Sequence, residues 1–79
     1  MRVQVLFFGA TADAVGEREI EIDLPDGAKA ENVFAQIIAA YPNLEQYKLL
    51  FAINQEYANS DKIIKDGDEL AVFTAVSGG

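Results

Sequence analysis

Cysteine and histidine are both missing from this chain of 79 residues. Without cysteine there is no disulfide framework, no thiolate metal site and no cysteine nucleophile. Without histidine the commonest general base, the commonest protein metal ligand and any serine-histidine triad are gone. Basic residues are scarce: six against thirteen acidic ones, a formal net charge of −7. That balance argues against nucleic acid and anionic membrane as partners and leaves room for a basic protein. No apolar run approaches the ~20 residues that a bilayer-spanning helix needs. The opening Met1-Arg2-Val3-Gln4-Val5-Leu6 goes directly into a strand pattern and lacks the layout of a secretory signal, so a cytoplasmic location is expected. There is no internal repeat, low-complexity tract or linker. Half of the chain is hydrophobic (51%), enough for one small core, and residues 1–79 read as a single domain.

What is present is mostly alternation. Val3, Val5 and Phe7 share one face of a first strand, which sets Leu6 and Phe8 on the other. Gly9 to Gly16 reads as a connection with a short helical turn, capped by Thr11 and ended by Gly16. From Arg18 to Leu24 a second strand points Ile20, Ile22 and Leu24 one way and Glu19, Glu21 and Asp23 the other. The acidic row is a solvated face, and Pro25-Asp26-Gly27 turns the chain. Between Ala30 and Tyr41 the period changes: Val33, Phe34, Ile37, Ile38 and Tyr41 form the stripe of the main helix, which Pro42 stops. Ala28-Lys29-Ala30 offers that helix no good capping side chain, with Asp26 the nearest help. A short turn over Asn43 to Tyr47 comes next, then a buried strand, Leu49 to Ile53. Asn54-Gln55-Glu56 turns, Tyr57-Ala58 begins a short return strand, and Ile63 and Ile64 anchor a connection. Asp66-Gly67-Asp68 is a further turn. The last strand, Leu70 to Phe73, points Leu70 and Val72 inward and Ala71 and Phe73 outward.

Strand, strand, long helix, strand, short strand, strand predicts an α+β fold: a mixed sheet with one main helix over one face. With the last strand beside the first, Leu6, Phe8 and Phe73 gather on the uncovered face. A contiguous apolar patch on so small a domain marks a protein interface.

Thr74, Ala75, Val76, Ser77, Gly78 and Gly79 follow that strand as a flexible functional tail. Its five residues from Ala75 to Gly79 reach roughly 16 Å when extended. Glycine carries no Cβ, so Gly78 lets the end thread a narrow channel. The carboxylate on Gly79 is ionised at neutral pH and is a poor acyl donor until it is activated, for example as an acyl-adenylate made with ATP. No side chain hinders that activation.

Four blocks carry a resemblance: Val5-Leu6-Phe7-Phe8, Lys48-Leu49-Leu50-Phe51-Ala52-Ile53-Asn54-Gln55, Asp66-Gly67-Asp68-Glu69-Leu70 and Val76-Ser77-Gly78-Gly79. Together and in this order, across nearly the whole chain, they resemble the MoaD branch of the MoaD/ThiS sulfur-carrier family, the small subunits of molybdopterin synthase. The resemblance implies a ubiquitin-like β-grasp, in agreement with the element order. It implies that a MoeB-like activating enzyme uses ATP to adenylate Gly79 and that sulfur then replaces an oxygen to give a thiocarboxylate. The tail would enter a MoaE-like large subunit and donate sulfur to a cyclic pyranopterin, forming the dithiolene of molybdopterin. Two carriers would serve each product, in a heterotetramer built on a dimer of large subunits. Family interface positions fall on Phe8, Tyr57 and Phe73, with Val76 and Ser77 in the tail; strand phase reaches Phe8 and Phe73 independently. Catalytic side chains would belong to the large subunit, so the chain is expected to bind no cofactor or metal and not to be catalytic alone.

Three positions depart from the family pattern. Ala12 stands where many relatives have arginine, Lys29 where a threonine often caps the main helix, and Thr74-Ala75 where two prolines are common. The second departure predicts a helix start weaker by about 1 kcal/mol, and the third a looser tail. Other functions fit a Gly-Gly end: a ThiS-type carrier for thiamine thiazole synthesis, a ubiquitin-like modifier of lysines, or a non-covalent interaction domain.

Overall fold

Alternation in the first strand decides which side of the sheet is covered. The computed structural model describes residues 1–57 and 59–74. In β1 (Arg2–Phe7), Val3, Val5 and Phe7 are buried, while Gln4 and Leu6 stand half-buried on the other face. β1 pairs antiparallel with β2 (Glu19–Asp23), Val3 opposite Ile22 and Val5 opposite Ile20. Between them lies α1 (Ala10–Val15), which Gly16 ends in the left-handed conformation at φ 84°, open to glycine without steric cost. After α2 (Ala30–Ala40) and a 3-10 turn over Pro42–Gln46 come β3 (Leu49–Ile53), β4 (Glu56–Tyr57) and β5 (Glu69–Thr74). The five strands form one sheet in the order β2-β1-β5-β3-β4. β1 and β5 are parallel at its centre, and the other three pairs are antiparallel. This is the ubiquitin-like β-grasp, an α+β fold as expected.

The main helix covers one face. Val33 and Ile37 bury against Val3, Val5 and Phe7 of β1 and Leu70 and Val72 of β5, with Leu24, Leu44 and Ile64 closing the rim. Phe34 stacks on Phe51, and Phe7 meets Tyr41 edge-on at 6.1 Å. Burying each large side chain is worth roughly 1.5–3 kcal/mol, against ordering costs of similar size. A core this small leaves the other face of the sheet unpacked.

Several local expectations change. Thr11 does not cap α1: Gly9 occupies the N-cap, and Thr11 lies inside the first turn, fully buried. Asp26 does not rescue α2 either. Asn32 does, its Oδ1 accepting the Lys29 amide at 2.8 Å. The reciprocal bond of a capping box has no acceptor, since a lysine ammonium only donates. The connection before β5 supplies the remainder: the amides of Ala30 and Glu31 donate to the carbonyls of Lys62 (2.8 Å) and Ser60 (3.1 Å). Tertiary backbone contacts thus satisfy the first turn where a threonine cap is lacking. The second anchor of that connection, Ile64, is buried, whereas Ile63 is 54% exposed. Thr74, assigned to the tail from the sequence, is the last residue of β5 and pairs with Leu49. The return strand is Glu56–Tyr57; Ala58 lies outside the described residues.

The β3–β4 reversal takes two residues, Asn54 and Gln55, both at positive φ (51° and 69°). Two such residues make the type I′ turn that matches strand twist, where Asn-Gly is the favoured pair. Asn54 is tied down: its amide donates to the Glu69 carbonyl at 2.8 Å, and its Oδ1 accepts the Glu69 amide at 3.1 Å. Gln55 is exposed and has only the strain. Gln55→Gly is therefore expected to stabilise the domain by about 0.5–1 kcal/mol. A thermal melt should rise by roughly 2–8 °C; an unchanged or lower Tm would mean that the left-handed conformation costs no more than glycine's added freedom in the unfolded chain.

Candidate functional site: the open face of the sheet

β5 sends Leu70 and Val72 to the core and therefore Ala71 and Phe73 to the open side. Register then assembles the face. Ala71 lies between Leu6 of β1 and Ala52 of β3, and Tyr57 of β4 stands opposite Ala52. One step along, Phe73 pairs with Leu50. The Tyr57 and Phe73 rings lie 6.0 Å apart with their planes tilted by 53°, a distance at which aromatic pairs attract. Tyr57 is 78% exposed and Phe8 51%. Core packing uses little of either ring.

Phe8 lies just past the end of β1. The parallel ladder closes at Phe7 and Val72, and the Phe8 amide donates to the Val72 carbonyl at 3.1 Å. One further step of register brings Phe8 level with Phe73. Beyond it the chain turns at Gly9, with φ 59°. A shallow groove beside Phe8 is lined by Leu6, Ala12, Asp13 and Arg18. Ala12, with its short side chain, leaves this groove open.

Charge also runs along the β2 edge of the face. Arg2 reaches Asp23 at 3.1 Å and Glu21 at 3.4 Å, and Gln4 Nε2 donates to Glu19. The hydrogen bond that Arg2 donates to Asp23, and then the charges of Asp23 and Glu21, raise the guanidinium above its ordinary pKa. These groups are solvent-exposed, so water screens them and they hold the edge only weakly. The face is thus graded, from acids along β2 to apolar groups across β5, β3 and β4.

Of the residues singled out from the sequence, Tyr57 and Phe73 are in contact and Phe8 is aligned with Phe73 across the β1–β5 boundary. Val76, Ser77, Gly78 and Gly79 lie outside the described residues. Leu50 and Ala52 were missed as members of the open face. The run Leu49-Leu50-Phe51-Ala52-Ile53 is apolar at every position, so its phase is hidden until pairing with β5 fixes it. Expected to be buried throughout, β3 is half-buried at Leu49, Leu50 and Phe51 and buried at Ala52 and Ile53. Among the described residues no three acidic side chains converge as metal ligands, and no helix is long and apolar enough to cross a membrane.

Comparison with known proteins agrees with this architecture. A molybdopterin synthase sulfur carrier subunit from Chlamydomonas reinhardtii is 43% identical over 83 residues, covering all of both chains. The structure superposes on SAMP1 from Haloferax volcanii with a TM-score of 0.89, at 26% identity over the full length of each. A TM-score of 0.72, also at 26% identity and full coverage of both chains, relates it to a chain in the complex of subunits 1 and 2 of the molybdopterin-converting factor from Helicobacter pylori. Residues 5–79 match the model of the ThiS family. A β-grasp with these relatives, matched from its first strand to its last glycine, belongs to the ThiS family.

Proposed function

We propose that the chain is the sulfur-carrier small subunit of a molybdopterin synthase. The observation that carries this reading is the 43% identity, along the whole chain, to the sulfur carrier subunit of Chlamydomonas reinhardtii. The open face supports it, since the apolar groups Leu50, Phe73 and Tyr57 lie together beside the end of β5, from which the tail continues.

In this reading a MoeB-like activating enzyme spends ATP to join AMP to the Gly79 carboxylate, releasing pyrophosphate. Sulfur at the sulfide level then attacks the acyl carbon as HS⁻, forming the C–S bond while the C–O bond to AMP breaks and AMP leaves. The resulting thiocarboxylate is already a nucleophile at neutral pH and needs no side-chain base from this chain. Phe8, Tyr57 and Phe73 dock on a MoaE-like large subunit, Val76 and Ser77 line the entering tail, and Gly78 gives it clearance. The large subunit contributes the catalytic side chains and, as a dimer, holds two carriers in a heterotetramer. Each carrier gives one of the two sulfurs of the dithiolene. ATP belongs to the activating enzyme; the carrier itself binds no cofactor. A net charge of −7 suits basic partner surfaces.

The test is the intact mass of the chain after incubation with ATP, a sulfur source and extract of its cells. The expected result is a gain equal to exchanging one oxygen for sulfur, mapped to Gly79. An unchanged mass, in an extract that loads a known carrier, would refute the proposal. Selective binding to a thiazole synthase would reassign the chain to thiamine synthesis, and Gly79 joined to lysines of other proteins would make it a modifier.

A further inference from the structure

Among the described residues Thr11 is the one buried polar side chain. Its hydroxyl oxygen lies 2.7 Å from the Phe8 carbonyl, 2.9 Å from the Val72 carbonyl and 3.0 Å from the Phe8 amide nitrogen. A hydroxyl has one proton to give and two lone pairs to receive with. It therefore accepts the Phe8 N–H and donates to one of the two carbonyls at a time. Neither carbonyl depends on it. The Thr11 amide reaches Phe8 O at 3.3 Å, and the Phe8 amide reaches Val72 O at 3.1 Å. What the hydroxyl adds is a link between two segments that are 61 residues apart in sequence. It sits at the point where β1 has ended and the ladder to β5 has run out.

That point lies under the open face. Phe8 carries an exposed aromatic ring, and Val72 immediately precedes Phe73, whose half-buried ring lies beside Tyr57 on the same face. Apart from the hydroxyl, two backbone bonds of 3.1 and 3.3 Å hold Phe8, at a place where β1 has stopped at Phe7 and Gly9 turns the chain at positive φ. We propose that Thr11 is a positioning residue for the docking face. Through the Phe8 backbone and the Val72 carbonyl it sets where Phe8 stands relative to Phe73. Which protein docks there rests on the sulfur-carrier reading; the clamp itself does not.

Thr11→Val keeps the branched shape and removes the hydroxyl, whereas Thr11→Ser keeps the hydroxyl and loses a methyl. Two readouts are paired: amide hydrogen exchange at Phe8 relative to Val5 in the middle of β1, and affinity for a purified molybdopterin synthase large subunit. In Thr11→Val, Phe8 exchange is expected to accelerate and affinity to fall, each by about three- to tenfold, the weight of one hydrogen bond. Thr11→Ser should return both towards wild type. Val33→Ala, which opens the core under α2, serves as the control for general destabilisation. If it weakens docking as much as Thr11→Val does, or if Thr11→Val leaves either Phe8 exchange or affinity unchanged, the positioning role is overturned. Should wild-type protein bind no large subunit, the sulfur-carrier reading falls on its own. Phe8 exchange still decides the clamp: faster in Thr11→Val and restored in Thr11→Ser supports it, and no change removes it.

Discussion

Deleting Gly78 and Gly79 is expected to abolish sulfur loading while leaving the fold intact. The two effects separate because they depend on different parts of the chain. Among the described residues the buried core runs from Val3 to Val72, so the circular dichroism spectrum and the Tm should not move. The chemistry acts on one carboxyl carbon. Removing two residues shortens the chain's reach by up to ~7 Å and places the carboxylate on Ser77, which carries a side chain. Bond formation needs the reacting atoms held about 3–3.5 Å apart, and a misplacement of only 1 Å can cost ~100-fold. Loss of the mass gain should therefore be complete within detection. Intact-mass spectrometry and a thermal melt on the same truncated protein check both halves. A truncated chain that still takes up sulfur would move the acceptor elsewhere and remove the tail's role.

Where neighbours in sequence decide the structure, the sequence could be read. The phase of β1 follows from Val3, Val5 and Phe7, and the stripe of α2 from Val33, Phe34 and Ile37. Glycine-marked reversals at Gly16, Gly27 and Gly67 all occur at positive φ. What resisted reading depends on distant partners. The first turn of α2 lacks a good cap in sequence because its amides bond to Lys62 and Ser60, about thirty residues later. Thr11 resembles a cap from local propensity, but its hydroxyl is used by Val72 on another strand. Leu50 was hidden in a uniformly apolar run, and only its pairing with Phe73 shows which face it joins. The open face was half legible for the same reason. Phe8 and Phe73 follow from alternation, whereas Tyr57 needed either the resemblance or the β4 register.

Phe73→Asp is expected to weaken binding to a large subunit by roughly 100- to 10,000-fold, with only a modest loss of stability. In the isolated chain Phe73 is half-buried on the open face, beside Tyr57 at 6.0 Å and opposite Leu50. A carboxylate there stays hydrated, so folding loses mainly the aromatic contact, about 0.5–1.5 kcal/mol. Docking changes the balance. An interface that covers this face takes the carboxylate out of water beside apolar side chains, and an uncompensated buried charge costs about 3–5 kcal/mol, or roughly two to four decades of affinity. Tyr57→Ala, at the more exposed rim of the patch, should cost about tenfold. Glu21→Ala, on the same face at the charged edge, should change affinity by no more than a few-fold. Calorimetry on the three variants at low and high salt separates two ways of docking. A large loss at Phe73 that persists in salt places the binding energy in the apolar centre. Tight binding by Phe73→Asp, with salt-dependent loss at Glu21, would place it in the acidic β2 edge, and the aromatic patch would then need another occupant.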